Sequence, residues 1–203
     1  LEIRITHYCS IINHTKRLAY IFLPKCGGCS ICEYLQKLDN WDIPAKNEVT
    51  PNDTNLKIPD NYKIFTVVRE PTSWILSGYK MFKQRRNYDF TITEHLELLR
   101  NPHNVFTHYR ETRNDWGDWW WHCGITPDKH FEKYKNVEVF HLEKLQDMVH
   151  WLSQYFDTNE ILMPHTNQTE HEDIELSAYD NKLIDELLYF YRKKYYTEYK
   201  NEN

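Results

Sequence analysis

Two rhythms of apolar and polar positions run along this chain, and each predicts its own kind of element. Leu18 to Leu23 is nearly continuous apolar sequence, as expected of a strand buried on both faces, and it breaks at Pro24. Beyond Gly27 and Gly28 the spacing changes, and Ile31, Leu35 and Leu38 predict a helix. A second β-branched run, Ile64 to Val68, ends in Arg69-Glu70-Pro71. From near Thr72, Trp74, Ile75, Ser77, Gly78 and Tyr79 then follow at helical spacing. Thr93–Arg100 reads as a short helix with Leu96 and Leu99 packed. Val137–His141 reads as a strand that leads through Glu143-Lys144-Leu145 into a helix near Asp147–Tyr155. The last element, Ser177–Tyr199, is an amphipathic helix with Leu183, Leu187, Phe190 and Tyr191 on its apolar side. Ile3–Ile12 is expected to pair with the first core strand as an edge strand or hairpin. Asp39–Asn61, carrying Pro44, Pro51 and Pro59, is mostly loop, and Lys83, Arg85 and Arg86 form a basic surface run. Strands alternating with helices predict an α/β fold, a single domain over residues 1–203 with a mainly parallel central sheet flanked by helices.

Composition narrows this picture. At 203 residues the chain is long enough for one substantial core and short for two. Aromatics at 15% and only five glycines fit a folded domain, not a disordered or repetitive one. A net charge of −5 argues against a nucleic-acid partner, which would call for a basic footprint, but it leaves room for a local basic pocket. No stretch approaches the roughly 18 apolar residues of a membrane helix, and no basic-then-apolar leader opens the sequence. The number of cysteines is odd, five, with Cys26, Cys29 and Cys32 crowded together. This favours reduced thiols and a cytoplasmic location, the alternative being the Golgi lumen for a chain trimmed of an anchor. The sequons at Asn13, Asn52 and Asn167 would matter only in a secreted protein.

The chemistry concentrates at Pro24-Lys25-Cys26-Gly27-Gly28-Cys29-Ser30. A strand, a glycine turn and a helix start make an anion cradle, because glycines admit close approach and the first helical N–H groups point outward at the ligand. Ser30 adds a hydroxyl and Lys25 a point charge. A Walker A loop needs its lysine after the glycines, and here the lysine comes first. Arg69, at the end of the second core strand, offers a fork suited to phosphate oxygens, and Ser77 in the following helix can serve the same anion.

Together, Pro-Lys-x-Gly-Gly-x-Ser at 24–30 and Arg-Glu-Pro followed by Ser77 and Tyr79 resemble the two nucleotide signatures of the sulfotransferases, particularly the Golgi-type, carbohydrate-acting branch. The resemblance implies a P-loop-like sulfotransferase fold that uses 3′-phosphoadenosine 5′-phosphosulfate, releases adenosine 3′,5′-bisphosphate and needs no metal. It places Lys25, Cys26, Gly27, Gly28, Cys29 and Ser30 on the 5′-phosphosulfate, and Arg69 and Ser77 on the 3′-phosphate. A weaker match at Leu162–Thr169 suggests Asn167 and Thr169 for a loop closing over the nucleotide. The implied reaction passes a sulfuryl group to an acceptor hydroxyl, favoured to be on a carbohydrate. Cys29 stands where threonine is commoner, which removes a hydroxyl, and Trp74 stands where relatives often carry a basic residue.

Such a transfer needs positive charge on the departing oxygen, for which Lys25 is the choice, and a base on the acceptor. Glu48 is the first candidate base and Asp53 the second, while His103 and His108 follow later, where relatives place a substrate-facing histidine. Trp116, Trp119, Trp120 and Trp121 form either an aromatic platform for an acceptor or packing against the core. Other classes stay open: a thiol redox or metal-binding protein using Cys26, Cys29 and Cys32, a kinase-like phosphate binder, or a non-catalytic glycan-binding module.

Overall fold

In a computed structural model of the protein, the described residues are 10–42, 58–86, 89–100, 131, 134–157 and 174–196. They fall into two compact units, with one chain boundary between Arg69 and Glu70. The first unit holds the described residues up to Arg69 and those of 131–157; the second holds those from Glu70 to Arg100 and 174–196.

The first unit is built on a four-stranded sheet whose spatial order follows the chain: β1 (Ile11–Asn13), β2 (Leu18–Ile21), β3 (Lys63–Val68) and β4 (Val137–His141). β1 turns back antiparallel on β2, pairing Ile12 with Ala19, whereas β2–β3 and β3–β4 are parallel, pairing Tyr20 with Phe65 and Val68 with His141. The hairpin closes because Asn13 Oδ1 accepts the Lys16 N–H at 2.7 Å and Arg17 takes a left-handed φ of 55°. Asn13 is fully buried and also donates to Asp39 Oδ2 at 2.9 Å, so its side chain belongs to the fold and is closed to a glycan. β2 is buried at every position, as a central parallel strand should be, while Glu138 on edge strand β4 faces solvent.

Helix α1 (Gly28–Leu38) and, after a 3₁₀ turn at Leu142–Lys144, helix α4 (Leu145–Leu152) pack on one face of this sheet. Ile31, Tyr34 and Leu35 meet Leu18, Tyr20, Phe65 and Val67, with Met148 and Leu152 completing the layer. The alternation along β3 sends Phe65 and Val67 to this face; Thr66 is also buried, and its hydroxyl donates to the Ile21 carbonyl at 2.8 Å.

The second unit is helical: α2 (Pro71–Arg86), α3 (Ile92–Arg100) and α5 (Ala178–Tyr195). Leu96 and Leu99 are buried as expected, and Ser177 caps α5 in a capping box with Asp180. One residue departs from the sequence expectation. Phe190 is 80% exposed, because Asp180, Leu183, Ile184, Leu188 and Tyr191 define the inward stripe and Phe190 falls beside it. Among the described residues no helix is long and apolar enough to cross a membrane.

Candidate functional site

β2 ends at Ile21 and the chain turns through Pro24–Gly27, with the Cys26 N–H closing onto the Leu23 carbonyl at 3.3 Å. Two residues of the turn are left-handed, Lys25 at φ 63° and Gly27 at φ 75°, with Cys26 between them on the ordinary side. Alternating handedness turns successive peptide N–H groups toward one side, the geometry of an anion-binding nest. Glycine supplies it freely at 27, whereas a lysine held there costs on the order of 1–2 kcal/mol. The first helical hydrogen bond runs from the Ile31 N–H to the Gly27 carbonyl at 3.1 Å. The N-cap of α1 is Gly27, which has no side chain to offer, and the first turn contains no acidic residue. The positive end of the α1 dipole therefore meets Lys25 with no carboxylate from its own first turn.

The two glycines also have a packing reason that the sequence did not disclose. A Cβ on Gly27 would lie 2.6 Å from Leu142 Cδ1, and one on Gly28 would enter the Phe22 ring. Close approach is thus demanded from the protein side whatever binds on the other.

Arg69 follows directly on β3 and is half-buried. Its Nη1 donates to the Lys25 carbonyl at 3.2 Å, and its backbone N–H donates to the Cys26 sulfur. Cys26 is fully buried, and burial pushes its thiol well up, opposed by the charges of Arg69 and Lys25 and reinforced by Glu143. A redox thiol works the other way, through a lowered pKa and an exposed sulfur. Cys32 is also buried, Cys29 is half-buried, and none of the three is in a disulfide. Among the described residues no three metal-ligating side chains gather.

The end of β4 arrives beside these groups. Its register sets His141 against Val68, one residue before Arg69, and the next residue, Leu142, touches the space above Gly27. His141 is half-buried, and burial lowers its pKa, with Glu143 and Asp147 pulling the other way and Lys144 adding to the fall. The carboxyl ends of three adjacent parallel strands thus bring together Lys25–Ser30, Arg69 and His141–Glu143, at the end of the sheet where open α/β folds bind ligands. The sequence singled out the first two groups and missed the third. A strand's carboxyl end is the signal that could have found it, once β4 is known to lie next to β3.

In the second unit Glu70 closes the start of α2. Its carboxylate accepts the Thr72 N–H at 3.0 Å and the Ser73 N–H at 2.7 Å. Arg192 stands behind it, 3.7 Å from Glu70 Oε1, donating to Thr72 Oγ1 at 3.2 Å and paired with Asp185 at 2.6 Å. Ser77 and Trp74 are both buried in this unit. Trp74 thus serves as packing at the position where a basic residue is common in the family that the sequence resembles. Glu48, Asp53, His103, His108, Asn167, Thr169 and Trp116–Trp121 lie outside the described residues. No family model, curated protein or solved structure matches the chain.

Proposed function

We propose that the protein is a sulfotransferase with a P-loop-like sulfotransferase fold, moving a sulfuryl group from 3′-phosphoadenosine 5′-phosphosulfate to an acceptor hydroxyl, most readily one on a carbohydrate. The observation that carries the reading is the Pro24–Ser30 turn: left-handed at Lys25 and Gly27, followed by a helix with a glycine N-cap and no acid in its first turn, and reached by Arg69 from the neighbouring strand. This donor set suits a phosphosulfate, with backbone N–H groups, a hydroxyl, an ammonium and a guanidinium all within one strand-end cluster. The nucleotide supplies an already activated sulfuryl group, so the chain needs to bind, orient and neutralise charge. Lys25 and the N–H groups of Gly28, Cys29 and Ser30 hold the 5′-phosphate oxygens and stabilise the charge that grows there. Arg69 and Ser77 answer to the 3′-phosphate by the family resemblance, and Glu48 or His108 takes the proton of the acceptor.

A thermal-shift titration with adenosine 3′,5′-bisphosphate, ADP and AMP tests this. A ligand at 100 times its Kd contributes about 2.7 kcal/mol, which for a domain of this size raises the melting point by roughly 2–4 °C per kcal/mol. The bisphosphate alone should produce that shift. Equal shifts for all three would reduce the site to a general nucleotide pocket, and no shift would make the loop a structural turn.

A further inference from the structure

The peptide between Lys25 and Cys26 is held at both of its polar atoms. Its carbonyl accepts Arg69 Nη1 at 3.2 Å, and its N–H donates to the Leu23 carbonyl at 3.3 Å. The Cys26 side chain, fully buried, is fixed as well by the Arg69 backbone N–H on its sulfur. This peptide joins the left-handed Lys25 to the residue before the left-handed Gly27, so its orientation determines where the following N–H groups point. A lysine in that backbone region persists only where its surroundings over-determine it.

We infer that Arg69 is a positioning residue for the 5′ anion loop: its guanidinium locks the Lys25–Cys26 peptide and so sets the direction of the nest and of Lys25. The identity of the anion rests on the sulfotransferase reading, while the brace itself does not. Under this inference the arginine assigned by resemblance to the 3′-phosphate governs affinity for the 5′-phosphate too, through the loop.

The test uses Arg69→Ala and Arg69→Lys, both of which keep the backbone N–H on Cys26. Calorimetry with 5′-AMP and with 3′-AMP separates the two ends of the nucleotide, and maleimide labelling of Cys26, resolved by mass spectrometry, reports loop opening without any nucleotide. Arg69→Ala should weaken 5′-AMP by about tenfold, the scale of one charge-assisted contact, and make Cys26 labelling faster while Cys32 stays protected. Arg69→Lys, which retains a charged donor, should recover part of both effects. A loss confined to 3′-AMP, with Cys26 labelling unchanged, would overturn the brace. If the wild-type protein binds neither nucleotide, the sulfotransferase reading fails, and Cys26 labelling alone still decides the role of Arg69.

Discussion

Helices α1 and α2 each follow a parallel strand after a short link, yet they begin in opposite ways. At α2 the preceding Glu70 folds its carboxylate onto the first two available N–H groups, and Arg192 neutralises it from behind. At α1 the N-cap is a glycine and the first turn holds no acid of its own; Lys25 and Arg69 bring positive charge there, and the acid nearby, Glu143, comes from just beyond the end of β4. The other described helices side with α2: α3 carries Glu94 bonded to Thr91, α4 has Asp147 in its first turn, and α5 is closed by Ser177 and Asp180. A helix start costs free energy unless its N–H groups find acceptors. Four of the described helices carry an acid of their own at the start, and α1, entered through Gly27, does not.

Removing the charge at α1 should have the largest effect. Lys25→Ala is expected to lower sulfuryl transfer by about 100-fold or more, the usual loss when a donor to developing charge is deleted. Release of adenosine 3′,5′-bisphosphate in the presence of an acceptor panel would measure it. Lys25→Gly should be equally inactive and no less stable in a thermal melt, since glycine relieves the left-handed backbone.

Acid should sharpen the contrast. His95, buried against Tyr79 in the second unit, has its pKa pushed down to about 3 by burial. A histidine with a lowered folded pKa stabilises the fold fully above its unfolded value near 6.5. That contribution is lost as pH falls from there toward the folded value, at up to about 1.4 kcal/mol per pH unit. Asp180 is held below the ordinary carboxylate range by Ser177 and Thr93 despite the opposing effect of burial, and Glu94 is held below it by Thr91, so both caps are lost only at still lower pH. Hydrogen exchange between pH 7 and 4 should therefore show α3 and α5 losing protection before α1, whose own first turn has no carboxylate to protonate and whose unit does not hold His95. Simultaneous loss would break the comparison.

Packing comes next in size. Gly28→Ala drives a methyl into Phe22 and should cost about 1–3 kcal/mol of stability. Adding Phe22→Ala should recover part of that in denaturant titrations if the ring is the obstacle. The smallest effect belongs to α2: Glu70→Gln weakens a cap worth about 1 kcal/mol and should leave adenosine 3′,5′-bisphosphate affinity at the α1 loop unchanged.

Much of this frame was legible in the sequence, for reasons particular residues make plain. Leu18–Leu23 and Ile64–Val68 read as buried strands; β2 runs Leu18–Ile21, two residues short of that apolar run, while β3 and β4 run Lys63–Val68 and Val137–His141, close to their apolar limits. The apolar period through Leu183, Leu187 and Tyr191 placed the last helix, which runs Ala178–Tyr195 behind its Ser177 cap. What could not be read was tertiary. Pairing of β4 with β3 brings His141 and Glu143 to the loop, and no local pattern encodes that neighbour. Glu70 looked like part of a phosphate motif, and only the fold shows its carboxylate turned onto α2. The strain at Lys25 was equally hidden, because left-handed backbone is expected at the glycines and not at a lysine.

The most direct measurement is residue-resolved: amide chemical shifts of the ¹⁵N-labelled protein followed by NMR during titration with adenosine 3′,5′-bisphosphate. The largest changes should fall on Gly27, Gly28, Cys29 and Ser30, with Thr72 and Ser73, already bonded to Glu70, moving little. Shifts absent from Gly27–Ser30, or concentrated instead at the start of α2, would contradict the assignment of the α1 loop as the anion site.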